Sequence, residues 1–524
     1  MSGLSRRRFL GLTGGAGALA VAGLAGPRLF GSAATTGELL TSKVPLPTPF
    51  QVPLPIPAVL APVARDADAD RYEIVQRQAT TEILPGLCTP IWGYQGTFPG
   101  PTIESRSGRT AIIRHRNELP VPTVVHLHGG RTPPESDGYA TDLVLPAAGT
   151  HPTHSHGGHA SMHDPAAIIS QGERDYVYPL RQNASTLWYH DHRMDFTGPA
   201  VYRGLTGFHL VRDNEEDALP LPHGERELPL MITDRAFAAD GSMRYPSIDP
   251  SLNTVPGVEE PYVEGVLGDV ILVNGAPWPV AEVSATRHRL RVLNASNARR
   301  YDLALDPPPP GGQAFTQIGS DQGLLDAPRV HDHLPIAPAE RYDLVVDFGA
   351  YPVGTEVVLV NRLGTDSTAH VMRFRVTRRA TEDSHIPDRL ADIEPLDRAQ
   401  ATVTREFSFR AGRIGDRHGW TIDGQPYSPT RIEARPRLGD VEIWRFVADL
   451  HHPIHLHLVH FHVLARGGHE PGPYDVGRKD TIDLRPGEAV EVITRFDGYR
   501  GRYMFHCHNI EHEDMGMMAN FEVI

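Results

Sequence analysis

His506-Cys507-His508-Asn509-Ile510-Glu511-His512-Glu513-Asp514-Met515-Gly516-Met517, near the C-terminus, decides how the rest of the chain is read. Successive side chains of an extended strand point to opposite faces, so His506 and His508 face one way and Cys507 the other. A thiolate, an imidazole five residues on and a thioether five further still match one kind of metal site. That site is blue copper, which takes one Cys, His ligands and a weak axial Met. The two His that flank Cys507 are then free to serve a second site on the opposite face. The backbone around Cys507 connects the two, as electron transfer between them requires.

Three of the His-x-His pairs upstream belong with it: His126-Leu127-His128, His190-Asp191-His192 and His455-Leu456-His457. A period of two places both imidazoles of a pair on one face of a strand or extended loop. His452, three residues before His455, has the opposite parity and is expected to join Cys507. Eight paired imidazoles suit a cluster of several coppers. Cys507, His452, His512 and Met517 suit one mononuclear copper. A lone His-x-His carries little information; four pairs, one of them straddling a Cys at blue-copper spacing, carry a great deal.

With those motifs in hand, the chain resembles the multicopper oxidases. Within that family it is similar to the bacterial spore-coat laccase, phenoxazinone synthase and bilirubin oxidase branch. The stretches His126-Leu127-His128-Gly129-Gly130, Trp188-Tyr189-His190-Asp191-His192 and His452-Pro453-Ile454-His455-Leu456-His457-Leu458-Val459 carry the likeness. The resemblance covers the chain from about residue 45 onward. It implies an all-β fold of three cupredoxin-like Greek-key β-sandwich domains. It also implies four coppers per chain. His452, Cys507 and His512 would bind the type 1 copper, with Met517 axial, and His126 and His455 the type 2 copper. His128, His190 and His508 would bind one type 3 copper, and His192, His457 and His506 the other. No ligand position is substituted, which argues against a cell-envelope structural relative that has lost its metals. Glu513 and Asp137 match acidic positions that assist dioxygen reduction in the similar spore-coat laccases; proton delivery is the role expected of them.

Length, composition and charge agree. A chain of 524 residues has room for three domains of ordinary size. Gly (50) and Pro (47) break the apolar runs into short segments, which favours β-sandwiches over helices. The expected domains run from 45 to 215, 225 to 380 and 400 to 524. A net charge of −14 with no basic stripe excludes nucleic-acid binding. Residues 44 to 63 alternate proline with apolar side chains and are read as an extended arm lying on the first domain. Of the two cysteines, Cys507 is committed to copper; Cys88 is read as a small buried apolar residue, with no disulfide.

Ser5-Arg6-Arg7-Arg8-Phe9-Leu10 and the Gly/Ala/Leu-rich stretch behind it read as a twin-arginine export signal over residues 1 to 34. The apolar run is too short to span a membrane. The expected location is periplasmic or extracellular, and the mature chain is not expected to be an integral membrane protein. The expected partners are dioxygen and a small aromatic reducing substrate. The expected activity is laccase-like oxidation of phenols and aromatic amines. Bilirubin oxidation, aminophenol coupling and metal-ion oxidation are the alternatives; only 10 methionines and no Met-rich insert disfavour a cuprous oxidase. Electrons are expected to enter at the protein edge near His452 or His512. The histidines between His151 and His163 are read as a surface loop.

Overall fold

The computed structural model describes residues 35–147 and 164–524. The expected export signal and the histidines from His151 to His163 therefore lie outside the described residues. From Thr36 to Ile524 the described residues form one compact unit whose regular structure is mostly strand, with few helices.

Apart from two small two-stranded sheets, the strands associate into three successive pairs of sheets. The first pair uses strands between Ala64 and Arg212, the second strands between Glu227 and Arg378, the third strands between Ala401 and Val523. Each pair closes over its own apolar core. Parallel and antiparallel neighbours mix within a sheet. In the third pair, Ala401–Ile414 runs parallel to Val441–Ala448 and antiparallel to Arg417–Ile422. Outward strands such as Glu173–Tyr178 alternate exposed and buried side chains, the pattern of a half-buried sheet.

Four segments that carry histidines depart from that alternation, because they are buried on both faces. Val125–His128 sends Val125 and Leu127 into the first core and His126 and His128 to the other side. Ser185–Asp191 sends Leu187 and Tyr189 inward and Trp188 and His190 outward. Gly501–Cys507 sends Tyr503, Phe505 and Cys507 into the third core and His506 to the opposite face. His452–Leu456 places Ile454 and Leu456 in the same core and His455 opposite. Each fully buried Val, Leu or Phe contributes about 1.5–3 kcal/mol, so the apolar half of each strand fixes the parity of its histidines. A one-residue slip would turn every imidazole into a hydrophobic core.

The proline-rich arm is placed differently from the expectation. Its first half lies on the second pair of sheets. Phe50 and Leu54 donate backbone hydrogen bonds to Trp278 and Val280, and Val44, Leu46, Phe50 and Leu54 pack on the second core. Only the later part reaches the first pair, where Val59 bridges to Thr102. The arm's apolar side chains and its backbone hydrogen bonds to Trp278 and Val280 hold it on the second core. Cys88 is also corrected: it is exposed. It opens strand Cys88–Tyr94, where Thr89 and Ile91 point inward and Cys88 and Pro90 outward.

Candidate metal centre

Register brings the paired histidines together. His126 stands opposite His190, and His128 opposite Trp188, across one antiparallel pair. His455 stands opposite His506, and Ile454 opposite Cys507, across another. The two sets then face each other. His126 Nε2 and His455 Nε2 are 3.4 Å apart, although 329 residues separate them in the chain. His192 Nε2 and His457 Nε2 each lie 3.2 Å from His506 Nε2. Potential ligand atoms of His128, His190 and His508 lie within 4.8 Å of one another, as do those of His192, His457 and His506. His126, His128 and His455 form a further group of this kind. All eight rings are buried.

Cys507, His452 and His512 meet on the other face of the Cys507 strand. The thiol sulfur lies 3.5 Å from His452 Nδ1 and 3.6 Å from His512 Nδ1, and the two nitrogens are 3.0 Å apart. The connection is local. A short helix, Ile510–Asp514, carries His512; Gly516 then reverses the chain at φ 101°. A Cβ there would meet Ile414 Cδ1 at 2.7 Å. The reversal lets Met517 N–H donate to His512 O and Met517 O accept from Cys507 N–H. Met517 is thus held against the Cys507 strand, fully buried.

The donor set fits cations. His452 Nε2–H donates to Asp449 Oδ1 (2.9 Å) and His512 Nε2–H to Glu264 O (3.2 Å). Both Nδ1 atoms are therefore lone pairs, 3.0 Å apart, beside a sulfur and with no proton to share. The same holds on the other face. His457 Nδ1–H donates to Asp137 Oδ2 (2.7 Å), His126 Nδ1–H to Asp137 O (2.6 Å) and His455 Nδ1–H to Asp480 O (2.9 Å), leaving their Nε2 lone pairs to converge. His128 Nε2–H turns to Asp480 Oδ1 (3.1 Å), and its buried Nδ1 has no partner; His190 Nε2 and both nitrogens of His508 are likewise unpartnered. Burial holds His126, His128, His190, His455 and His457 well below their ordinary pKa, so they are neutral acceptors. Unpaired buried lone pairs are costly, and a bound cation satisfies them. Burial also pushes the Cys507 thiol up; a coordinated cation reverses that and makes it thiolate.

The two candidate carboxyls part company. Burial pushes Asp137 up to about 7, and its Oδ1 has no hydrogen-bond partner. Glu513, equally buried, is held well below the usual carboxylate range by the rings beside it: His506 Nδ1 lies 3.2 Å and His192 Nδ1 3.6 Å from its oxygens. Several supporting groups carried no sequence signal. Asp480, which holds His128, receives a two-pronged contact from Arg341 (2.6 and 2.5 Å) and a hydrogen bond from Gln322 (2.6 Å). Arg341 and Gln322 come from the second pair of sheets, 139 and 158 residues from Asp480 in sequence. Asp449, three residues before His452, carried no sequence signal either. Both the His452 and the His512 rings are fully buried, their outer nitrogens covered by Asp449 and by Glu264 with Asn509.

Comparison with known proteins agrees with this geometry. Two family models described as multicopper oxidase match residues 76–153 and 149–216, and 397–524. A laccase of Bacillus stratosphericus is 37% identical, over 90% of this chain and 98% of that protein. A bilirubin oxidase of Albifimbria verrucaria is 35% identical, over 90% and 81%. The crystal structure of a laccase from Pediococcus acidilactici superposes with a TM-score of 0.78 at 30% identity, covering 93% of this chain and 96% of that one.

Proposed function

From a chain that belongs to the multicopper oxidase family, we infer which side chains hold its four coppers. His452, Cys507 and His512, with Met517 beside them, would hold the type 1 copper. His126 and His455 hold type 2. His128, His190 and His508 hold one type 3 copper, and His192, His457 and His506 the other. The protein is a laccase-like multicopper oxidase. Bound coppers supply one-electron acceptance from an aromatic donor at type 1 and four-electron reduction of dioxygen to two waters at the other three.

The chain's residues do the rest. Cys507 and His506 are adjacent, and His506 Nδ1 also lies 3.0 Å from Cys507 O, so a bonded route and a hydrogen-bonded route both join the two faces. Asp137 is the carboxyl able to carry a proton at its free Oδ1 toward the His126–His457 side. Glu513 keeps its charge and orients His192 and His506 through their outer nitrogens. The preferred substrates are phenols and aromatic amines, and the twin-arginine segment directs export to the periplasm or beyond. No helix among the described residues is long and apolar enough to cross a membrane.

The convergence of lone pairs from both ends of the chain carries this reading. Copper-loaded protein should contain four coppers and be blue; Cys507→Ser should lose the colour and substrate oxidation while keeping its far-UV circular dichroism. A blue Cys507→Ser protein, or one copper per chain, would overturn the assignment. Oxygen uptake with phenols, bilirubin, aminophenols and cuprous ion ranks the substrates. Replacing Arg6 and Arg7 by Lys should trap precursor inside the cell; normal export of that variant would refute the address.

A further inference from the structure

Both type 1 imidazoles are sealed, so an electron must cross one more group before reaching either ring. Two groups extend outward. One is Asp449, hydrogen-bonded to His452 Nε2, with its side chain 27% exposed. The other is Trp420. Its indole stacks on His512 with ring centres 3.7 Å apart and planes at 26°, and meets His452 edge-on at 5.6 Å. It touches both imidazoles of the site.

Trp420 is held there from three sides. It sits on strand Arg417–Ile422, opposite Ala411 in the hairpin with Ala401–Ile414. Its backbone N–H donates to Met515 O (2.9 Å), in the segment between His512 and Met517. Its Nε1–H donates to Val263 O (3.2 Å), next to the Glu264 carbonyl that covers His512. The next ring outward is His418, two residues away on the same face of the strand. It is half-buried, its ring centre 5.1 Å from that of Trp420 at 64°, and its Nε2 lacks a hydrogen-bond partner. A continuous series of π-systems therefore runs from the surface at His418 through Trp420 to His512.

We propose that the Trp420–His418 face of this hairpin is the electron-entry site, with Trp420 the conduit from a bound aromatic donor to the type 1 centre. The proposal rests on the multicopper oxidase reading and deepens it. An aromatic donor packed against His418 loses one electron, and a phenolic donor also loses its hydroxyl proton to solvent. The electron crosses Trp420, which is left unchanged, and reduces the type 1 copper by one unit. Stacking favours flat aromatic donors, whose faces pack on the His418 and Trp420 rings.

The test uses copper-loaded protein and anaerobic stopped flow, following bleaching of the blue band by 2,6-dimethoxyphenol. The absorption and electron paramagnetic resonance spectra and the reduction potential of the type 1 site are recorded alongside. Trp420→Leu should slow bleaching about tenfold or more, a barrier change of about 1.4 kcal/mol, with spectra and reoxidation by oxygen unchanged. Trp420→Phe should recover most of the rate, because a ring remains. His418→Ala, at a half-buried position, should slow bleaching by the phenol several-fold and leave reduction by ferrocyanide unaltered. The inference fails if Trp420→Leu and His418→Ala both bleach within about twofold of the parent. It fails too if bleaching slows only together with a shifted blue band, which would make Trp420 a packing residue for His512. Slowing in Asp449→Asn but in neither ring variant would place entry at His452 instead. A parent protein with no blue band would fail the copper reading itself, a separate outcome.

Discussion

Asp137→Asn is the sharpest test of how the two carboxyls differ. Asp137 is buried, accepts from His457 Nδ1–H at 2.7 Å through Oδ2 and leaves Oδ1 bare. An Asn carbonyl accepts the same hydrogen bond, so the change removes an ionisable proton and little else. Burial raises the carboxyl from 3.8 to about 7. A group whose pKa is higher folded than unfolded stabilises the fold when protonated. That contribution is complete below about pH 3.8 and is lost as pH rises toward 7. A shift of about 3 units is worth roughly 4 kcal/mol at 1.36 kcal/mol per unit. Copper-free protein is the state to measure, since bound copper adds positive charge beside the carboxyl and lowers its pKa. Urea unfolding of parent and variant at several pH values should show the variant gaining roughly 4 kcal/mol relative to the parent between acid and pH 8. In copper-loaded protein, reoxidation of the reduced type 1 band by oxygen should slow by about a hundredfold in the variant, the low end for a lost general acid. Parallel stability curves would show that Asp137 is ionised in the fold, and normal reoxidation would place the proton path elsewhere.

Other expectations are simpler to check. Glu513→Gln removes the charge that orients His192 and His506, so copper retention against a chelator should fall roughly 10- to 100-fold, while Asp137→Asn should hold copper better; equal retention in both would undo the distinction. Met517→Leu should keep the blue colour and raise the type 1 reduction potential, because three strong ligands remain and a weak donor is lost; an unchanged or lower potential points to Met515 or Met518. Native copper-loaded protein should react with one equivalent of a thiol reagent, at exposed Cys88, with no loss of colour; two equivalents would mean that Cys507 is open.

Much of the site was readable from alternation alone. The period of two separated His506 from Cys507, and the apolar residues next to the histidines made that parity binding: Leu127, Ile454 and Phe505 each drive one face into a core. His452 joined Cys507 for the same reason. What alternation cannot convey is contact across hundreds of residues. Arg341 on Asp480, Asp137 on His457 and Trp420 on His512 depend on how sheets pack, and no local spacing encodes that. Cys88 was misread because its apolar character was weighed without its strand: Thr89 and Ile91 claim the inner face. The proline-rich arm was misplaced because extended chain makes few contacts of its own and follows whichever core edge is open. The cover over His512 was not legible either, because the Glu264 carbonyl arrives from a segment 248 residues away.

The nitrogens that converge from Val125–His128 and His452–Leu456 have a consequence for the whole molecule. Without metal they are neighbouring electron pairs, and they push the two ends of the chain apart; with metal they become a clasp. The stability of the seam is then a function of free copper activity, through the ordinary mass-action term for a ligand that binds only the folded form. A starved molecule should open first along that seam, and proteases should cut there before any single sandwich unravels. Copper in this chain is therefore both a reagent and a rivet.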